Sequence, residues 1–118
     1  MVSFIAVIKN IAATDTKNTL RLEAESEDKD KTFICELPAE LNVFNKDERV
    51  EIELSHSKPA EGKNLGIELA GRIFNMEKIE NALIIQVSFW GLLSTFTLPK
   101  NYIDAQLKKN IYLSIKKI

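Results

Sequence analysis

The sequence predicts an all-β fold: a single antiparallel barrel of eight strands with one or two short helical turns. Three observations carry this. Apolar residues recur with a period of two along nearly the whole chain, as they do when one face of a strand is buried and the other is wet. The breaks between these runs are short and rich in turn-forming residues. With 118 residues and 13.4 kDa there is material for one domain spanning residues 1–118, and closing one sheet on itself removes its sticky edges.

The elements follow in chain order. Met1 to Ile8 is an apolar first strand, and Asp15-Thr16-Lys17-Asn18 is the turn after it. Leu20, Leu22 and Ala24 then alternate with Arg21, Glu23 and Glu25, up to a charged hairpin tip at Glu27–Lys31. Phe33, Cys35 and Leu37 share the inward face of the next run, with Ile34 and Glu36 outward. A helical turn is expected from Pro38 to Phe44, because proline is tolerated at a first helical position. Val50, Ile52 and Leu54 alternate with Arg49, Glu51 and Glu53. The longest polar loop, Ser57–Asn64, precedes a strand over 66–76 that places Ile67, Leu69 and Ile73 on one face. Glu77–Asn81 is read as the next link. The runs 82–90 and 92–98 are apolar on both faces, and Gly91 between them marks a tight bend or bulge. A second helical turn is expected at Asn101–Leu107, with Asn101 as cap. In the last run, 110–117, Ile111, Leu113 and Ile115 point inward, and Tyr112, Ser114 and Lys116 outward.

Composition excludes several classes. Sixteen basic and seventeen acidic residues leave a net charge of −1, without the basic excess of a stand-alone nucleic-acid binder. The lone Cys35 offers no internal disulfide and reads as a small core residue. No stretch reaches the ~18 apolar residues of a membrane helix, and the apolar start has no basic residue before it, so a cytoplasmic location is expected.

The chemistry of catalysis is missing. His56 is the only histidine and has no patterned partner; one His, one Cys and scattered carboxylates do not make a metal site. Glu23, Glu25, Glu27 and Asp28 read as a solvated edge rather than a cation site. Gly62 and Gly66 lack the Lys-Ser/Thr of a phosphate-binding loop. No catalytic residue, metal or cofactor is assigned. Two features remain. Residues 100–118 carry a charge of +4 against −5 for the rest of the chain. Phe89-Trp90-Gly91-Leu92-Leu93 gathers large apolar groups around a bend, where they either close the barrel end or offer a protein-docking anchor.

Three late segments carry a resemblance. Gly71-Arg72-Ile73-Phe74-Asn75-Met76-Glu77 resembles the Gly-Lys-Val-Tyr-Arg-Ile-Glu strand of the eighth subunit of RNA polymerase, a small subunit shared by the three eukaryotic nuclear polymerases and with an archaeal counterpart. Val87-Ser88-Phe89-Trp90-Gly91-Leu92-Leu93 is similar to its Val-Ser-Tyr-Gly-Gly-Leu-Leu motif, and Asn110 to Ile118 to its closing Arg-Val-Tyr-Leu-Leu-Met-Lys-Lys-Leu. Trp90 stands where the family has its first motif glycine. The long loop of the eukaryotic members shrinks here to Ser57–Leu65, which fits an archaeal member. The resemblance implies a barrel related to the OB-fold and a non-catalytic, structural subunit of archaeal DNA-directed RNA polymerase. It implies docking on the outside of the largest subunit, near the pore and funnel region and among the other polymerase subunits, without direct nucleic-acid contact. The expected docking residues are Phe89, Trp90, Gly91, Leu92, Leu93, Tyr112, Ser114 and Lys116, the last three joining the patch if their strand neighbours the bend. The rival reading is a free OB-like module that stacks single-stranded nucleic acid on Phe74, Trp90, Phe96 and Tyr112.

Overall fold

The computed structural model describes residues 2–55, 66–89, 91–99 and 110–118. Its strands are β1 (Val2–Ala13), β2 (Thr19–Ser26), β3 (Thr32–Pro38), β4 (Arg49–Ser55), β5 (Gly66–Ile79), β6 (Ala82–Phe89), β7 (Leu92–Pro99) and β8 (Asn110–Lys117). They form one closed barrel in the order β1-β2-β3-β7-β6-β5-β8-β4, with every neighbouring pair antiparallel. The predicted class holds.

Closure rests on two long strands. β1 pairs with β4 over Val2–Val7 and with β2 over Ala6–Ala13; β5 pairs with β8 over Gly66–Arg72 and with β6 over Arg72–Ile79. Each strand therefore hands over from one neighbour to the other at its middle. Just past each handover the register shifts, between Ile8 and Asn10 in β1 and between Ile73 and Asn75 in β5. A bulge adds local bend and twist where a barrel must turn a corner.

The core is filled by the inward half of each alternation. Leu22 and Ala24, Phe33, Cys35 and Leu37, Val50, Ile52 and Leu54, Leu83, Ile85, Val87 and Phe89, and Ile111, Leu113 and Ile115 are all buried as their parity predicts. Phe33 and Phe96 face each other across β3 and β7 with ring centroids 4.6 Å apart and planes tilted by 45°, an aromatic packing geometry that adds to simple burial. Ile67 closes one end of the β5 face, with Leu69 and Ile73 packed against the same cluster.

Three boundaries differ from the sequence reading. Glu77, Lys78 and Ile79 continue the ladder, opposite Ile84, Leu83 and Ala82, so only Glu80 and Asn81 form the turn. Charged side chains on an exposed ribbon do not stop a strand, because backbone pairing is indifferent to them. Pro38 ends β3 instead of starting a helix; it pairs with Thr19, and the 3₁₀ turn that follows is Ala39–Leu41. Runs 82–90 and 92–98 are not apolar on both sides: Ile84, Gln86 and Ser88 form a half-buried outer face of β6, and β7 extends to Pro99.

Candidate docking site

The bend at Gly91 is a two-residue hairpin loop, since Phe89 pairs directly with Leu92. Gly91 has φ +87°, in the left-handed region that tight hairpin turns require and that glycine enters without steric cost. Just beyond it, the Leu93 N–H donates to Glu36 Oε1 at 3.0 Å. This bond lies one step past the last β3–β7 pair, Cys35 with Ser94, and clamps the hairpin to the neighbouring strand.

Around this turn most of the lining residues are small, with Arg72 the exception. Ala70, Gly71, Arg72, Ser88 and Gly91 line an open groove of about 370 Å³ on the outer face of β5 and β6. Leu93 stands beside it in the row Arg72–Ser88–Leu93 and is 49% exposed. Tyr112 is half-buried and pairs with Ala70 on the other side. The glycine in the floor has a packing reason as well. A Cβ on Gly71 would run into the Phe89 ring and would meet the Ser88 carbonyl oxygen at 2.5 Å, so an absent side chain lets Phe89 fill the barrel below.

The predicted patch therefore divides. Gly91, Leu92 and Leu93 are exposed or half-buried at the turn, and Tyr112 and Lys116 are half-buried on the outer face of β8. Phe89 belongs to the core and is not available to a partner. Its position at the strand end suggested docking, but its parity with Leu83, Ile85 and Val87 turns it inward. Ser114 was expected to be open on the outer face and is 1% exposed instead. Nor does β8 neighbour β6: β5 lies between them, so Tyr112 reaches the groove across Ala70. Trp90, His56, the Ser57–Leu65 loop and Asn101–Leu107 lie outside the described residues.

Of the rings of the rival nucleic-acid reading, the three that lie among the described residues are not gathered. Phe96 is fully buried against Phe33, whereas Phe74 is 54% exposed on the bulge of β5. Among the described residues no group of three or more His, Cys, Asp or Glu side chains is placed to hold a metal, and no helix is long and apolar enough to cross a membrane.

One feature escaped the sequence reading. Lys31 is buried: its ammonium contacts Asp30 Oδ1 at 2.7 Å and Asp28 Oδ2 at 3.2 Å and lies 6.0 Å from the centre of the Phe4 ring. Burial alone would lower its pKa, but the two carboxylates outweigh it and hold the ammonium charged. The Ser26 hydroxyl donates to Asp28 at 2.5 Å, and that bond, with Asp30 and Lys31 beside it, keeps the Asp28 carboxyl well below the usual range. The signal was the shared inward parity of Lys31 with Phe33 and Cys35. Of the acidic side chains read as a solvated edge, Glu27 is paired with Arg49, Nε to Oε1 at 2.7 Å.

The fold is thus a small closed antiparallel barrel whose surface distinction is a clamped hairpin turn beside a shallow groove. The chain belongs to the RpbG family of DNA-directed RNA polymerase subunits, whose model matches residues 1–118. No curated protein matches it significantly. Among solved structures, the chain is similar to the cytoplasmic molybdate-binding protein ModG in a PEG-grown form with molybdate bound. The identity is 11% and the TM-score 0.42, over 98% of this chain and 89% of that one.

Proposed function

We propose that this chain is a non-catalytic, structural subunit of RNA polymerase that docks on the outside of the largest subunit through the β6–β7 turn and the groove beside it. Family membership makes it a polymerase subunit. The observation that carries the docking surface is Leu93, a large apolar side chain 49% exposed on a turn whose backbone is held by Glu36. An exposed apolar residue on a rigid support suits a protein partner, because little conformational freedom is lost when it is covered. Trp90 and Gly91 lie in the same loop, Leu92 flanks it, and Tyr112 extends the surface across Ala70 of β5; Lys116, opposite Gly66 at the other end of β5, stands apart from the groove. Phe89 and Gly71 act from below by shaping the groove floor. In this reading the protein works in the cytoplasm and reaches nucleic acid only through the enzyme it joins.

The test is incorporation into polymerase reconstituted from its remaining subunits. Leu93→Asp and Trp90→Ala should leave the isolated barrel folded, with little change in Tm, and weaken incorporation by at least tenfold, about 1.4 kcal/mol or more. Normal incorporation of both variants would move the docking surface elsewhere.

A further inference from the structure

We infer that the open edge of β5, over residues 74–79, takes an extended segment of a neighbouring polymerase subunit as an added strand. This edge lies at the opposite end of β6 from the β6–β7 turn. Its partner follows from family membership, on which the docking reading also rests.

Closure of the barrel leaves the edge open. β8 pairs with β5 only as far as Arg72, opposite Asn110, whereas β6 continues beside β5 to Ile79. Over residues 74–79, β5 therefore has one neighbouring strand among the described residues. In an antiparallel ladder alternate residues turn their N–H and C=O away from the partner. This stretch thus carries a row of backbone donors and acceptors that no described strand meets. β1 makes the same handover and ends differently. The loop before β4 closes on it: Ile8 N–H donates to the Glu48 carbonyl at 2.9 Å, and Asp47 N–H donates to the Ile8 carbonyl at 2.7 Å. From there to Ala13 no large apolar side chain is exposed. Along β5 every residue from 74 to 79 is exposed, Phe74, Met76 and Ile79 among them.

A long edge carrying large apolar side chains is a liability in a free protein, because other extended chains can pair with it. A row of alternating N–H and C=O groups is answered by another extended backbone, and the adjoining side chains select which one. A second copy of this chain fits poorly. The register that overlaps all of residues 75–79, past the bulge, places Glu77 opposite Glu77, Met76 opposite Lys78 and Asn75 opposite Ile79. It sets like charges against each other and forms no apolar pair. The fitting strand brings apolar side chains opposite Met76 and Ile79 and no acid opposite Glu77. For a chain that is a polymerase subunit, such a strand belongs to a neighbouring polypeptide of the enzyme.

The experiment compares hydrogen exchange of the isolated full-length chain with that of polymerase reconstituted with it, read at single amides. Over residues 74–79, the alternate amides that face away from β6 should exchange roughly tenfold or more slowly in the enzyme than in the free chain, while those bonded to β6 are protected in both. The F74K/M76K variant should incorporate several-fold more weakly and leave the Tm of the isolated barrel little changed, because both side chains are exposed. Leu93→Asp is measured in parallel. Weak incorporation of Leu93→Asp with normal incorporation of F74K/M76K overturns this inference alone. The reverse pattern overturns the turn as docking site and leaves the edge standing. If F74K/M76K incorporates weakly but the outward amides are no slower in the enzyme, side chains dock there without an added strand and the inference is overturned. If the isolated chain sediments as a dimer that F74K/M76K abolishes, the edge serves a second copy and the inference is likewise overturned.

Discussion

At the scale of single residues, Cys35 and Gly71 show how tightly the interior is specified. Burial pushes the Cys35 thiol up to about 11, opposed by the hydroxyl of Ser94 across the ladder. The unfolded thiol loses its proton nearer 9, so between pH 9 and about 11 the folded state keeps a proton that the unfolded state has lost. Stability should fall as pH rises through that window, by roughly 2 to 3 kcal/mol in total from this group. Denaturant melts of wild type and Cys35→Ala across the range should cross as the pH rises: the alanine variant should cost about 1 kcal/mol at neutral pH, since it empties little volume, and become the more stable of the two once the thiol's contribution is lost. The native thiol should also resist reagents until the barrel unfolds. Gly71 gives a complementary test. Gly71→Ala forces a methyl onto the Phe89 ring and the Ser88 carbonyl and should cost about 1–3 kcal/mol. A second substitution, Phe89→Leu, should return part of that loss by moving the ring out of the way, and a double-mutant cycle would measure the coupling.

At the scale of elements, the β2–β3 hairpin is closed by charge as well as by backbone. Ser26 N–H donates to the Lys31 carbonyl, Lys31 N–H donates to Ser26 Oγ, and the Lys31 ammonium lies against Asp28 and Asp30. The Asp28 carboxyl is held low by the Ser26 hydroxyl first, then by its charged neighbours. A depressed carboxyl contributes stability above its unfolded pKa of about 3.8 and loses it as the pH falls below that value. Acid unfolding of Asp28→Asn should therefore differ from wild type at neutral pH and merge with it in strong acid. Lys31→Met tests the buried end. It removes a cation from between two partly exposed carboxylates and should lower Tm most at neutral pH, where both carboxylates are charged. Hydrogen exchange at the Ser26 and Lys31 amides would locate the loss in this hairpin.

At the scale of the whole molecule, closure fixes what remains to be read by a partner. A closed barrel offers few free edges, so recognition falls to outer-face side chains, to the turns and to the short stretch of β5 that closure leaves open. The near-zero net charge gives the free chain little general attraction for phosphate. The isolated protein should bind a single-stranded oligonucleotide weakly, without sequence preference, and lose that binding as salt is raised. Tight binding at physiological ionic strength, measured by fluorescence anisotropy, would restore the reading as a free nucleic-acid module.

The sequence by itself determined the strands and which side of each faces inward. Phe33, Cys35 and Leu37, or Val50, Ile52 and Leu54, needed only the two-residue repeat of a half-buried strand, and the family was legible in three late motifs whose spacing survives. What the tertiary structure alone decided was the order of strands around the barrel and everything that depends on it. Tyr112 and the β6–β7 turn are separated by β5, a fact no local pattern contains, because strand order is set by contacts between residues far apart in sequence. Ser114 has the alternation of an exposed residue yet is buried, on a strand paired on both sides, with Glu53 of β4 and Glu68 of β5 directly opposite it. Lys31 has the composition of a solvated hairpin tip yet sits inside, because two carboxylates and an aromatic ring converge on it only once β2 and β3 are paired and Phe4 is brought alongside. Periodicity reports the face of a strand, a property of the local chain; burial reports what stands opposite that face, and closure of the barrel supplies it.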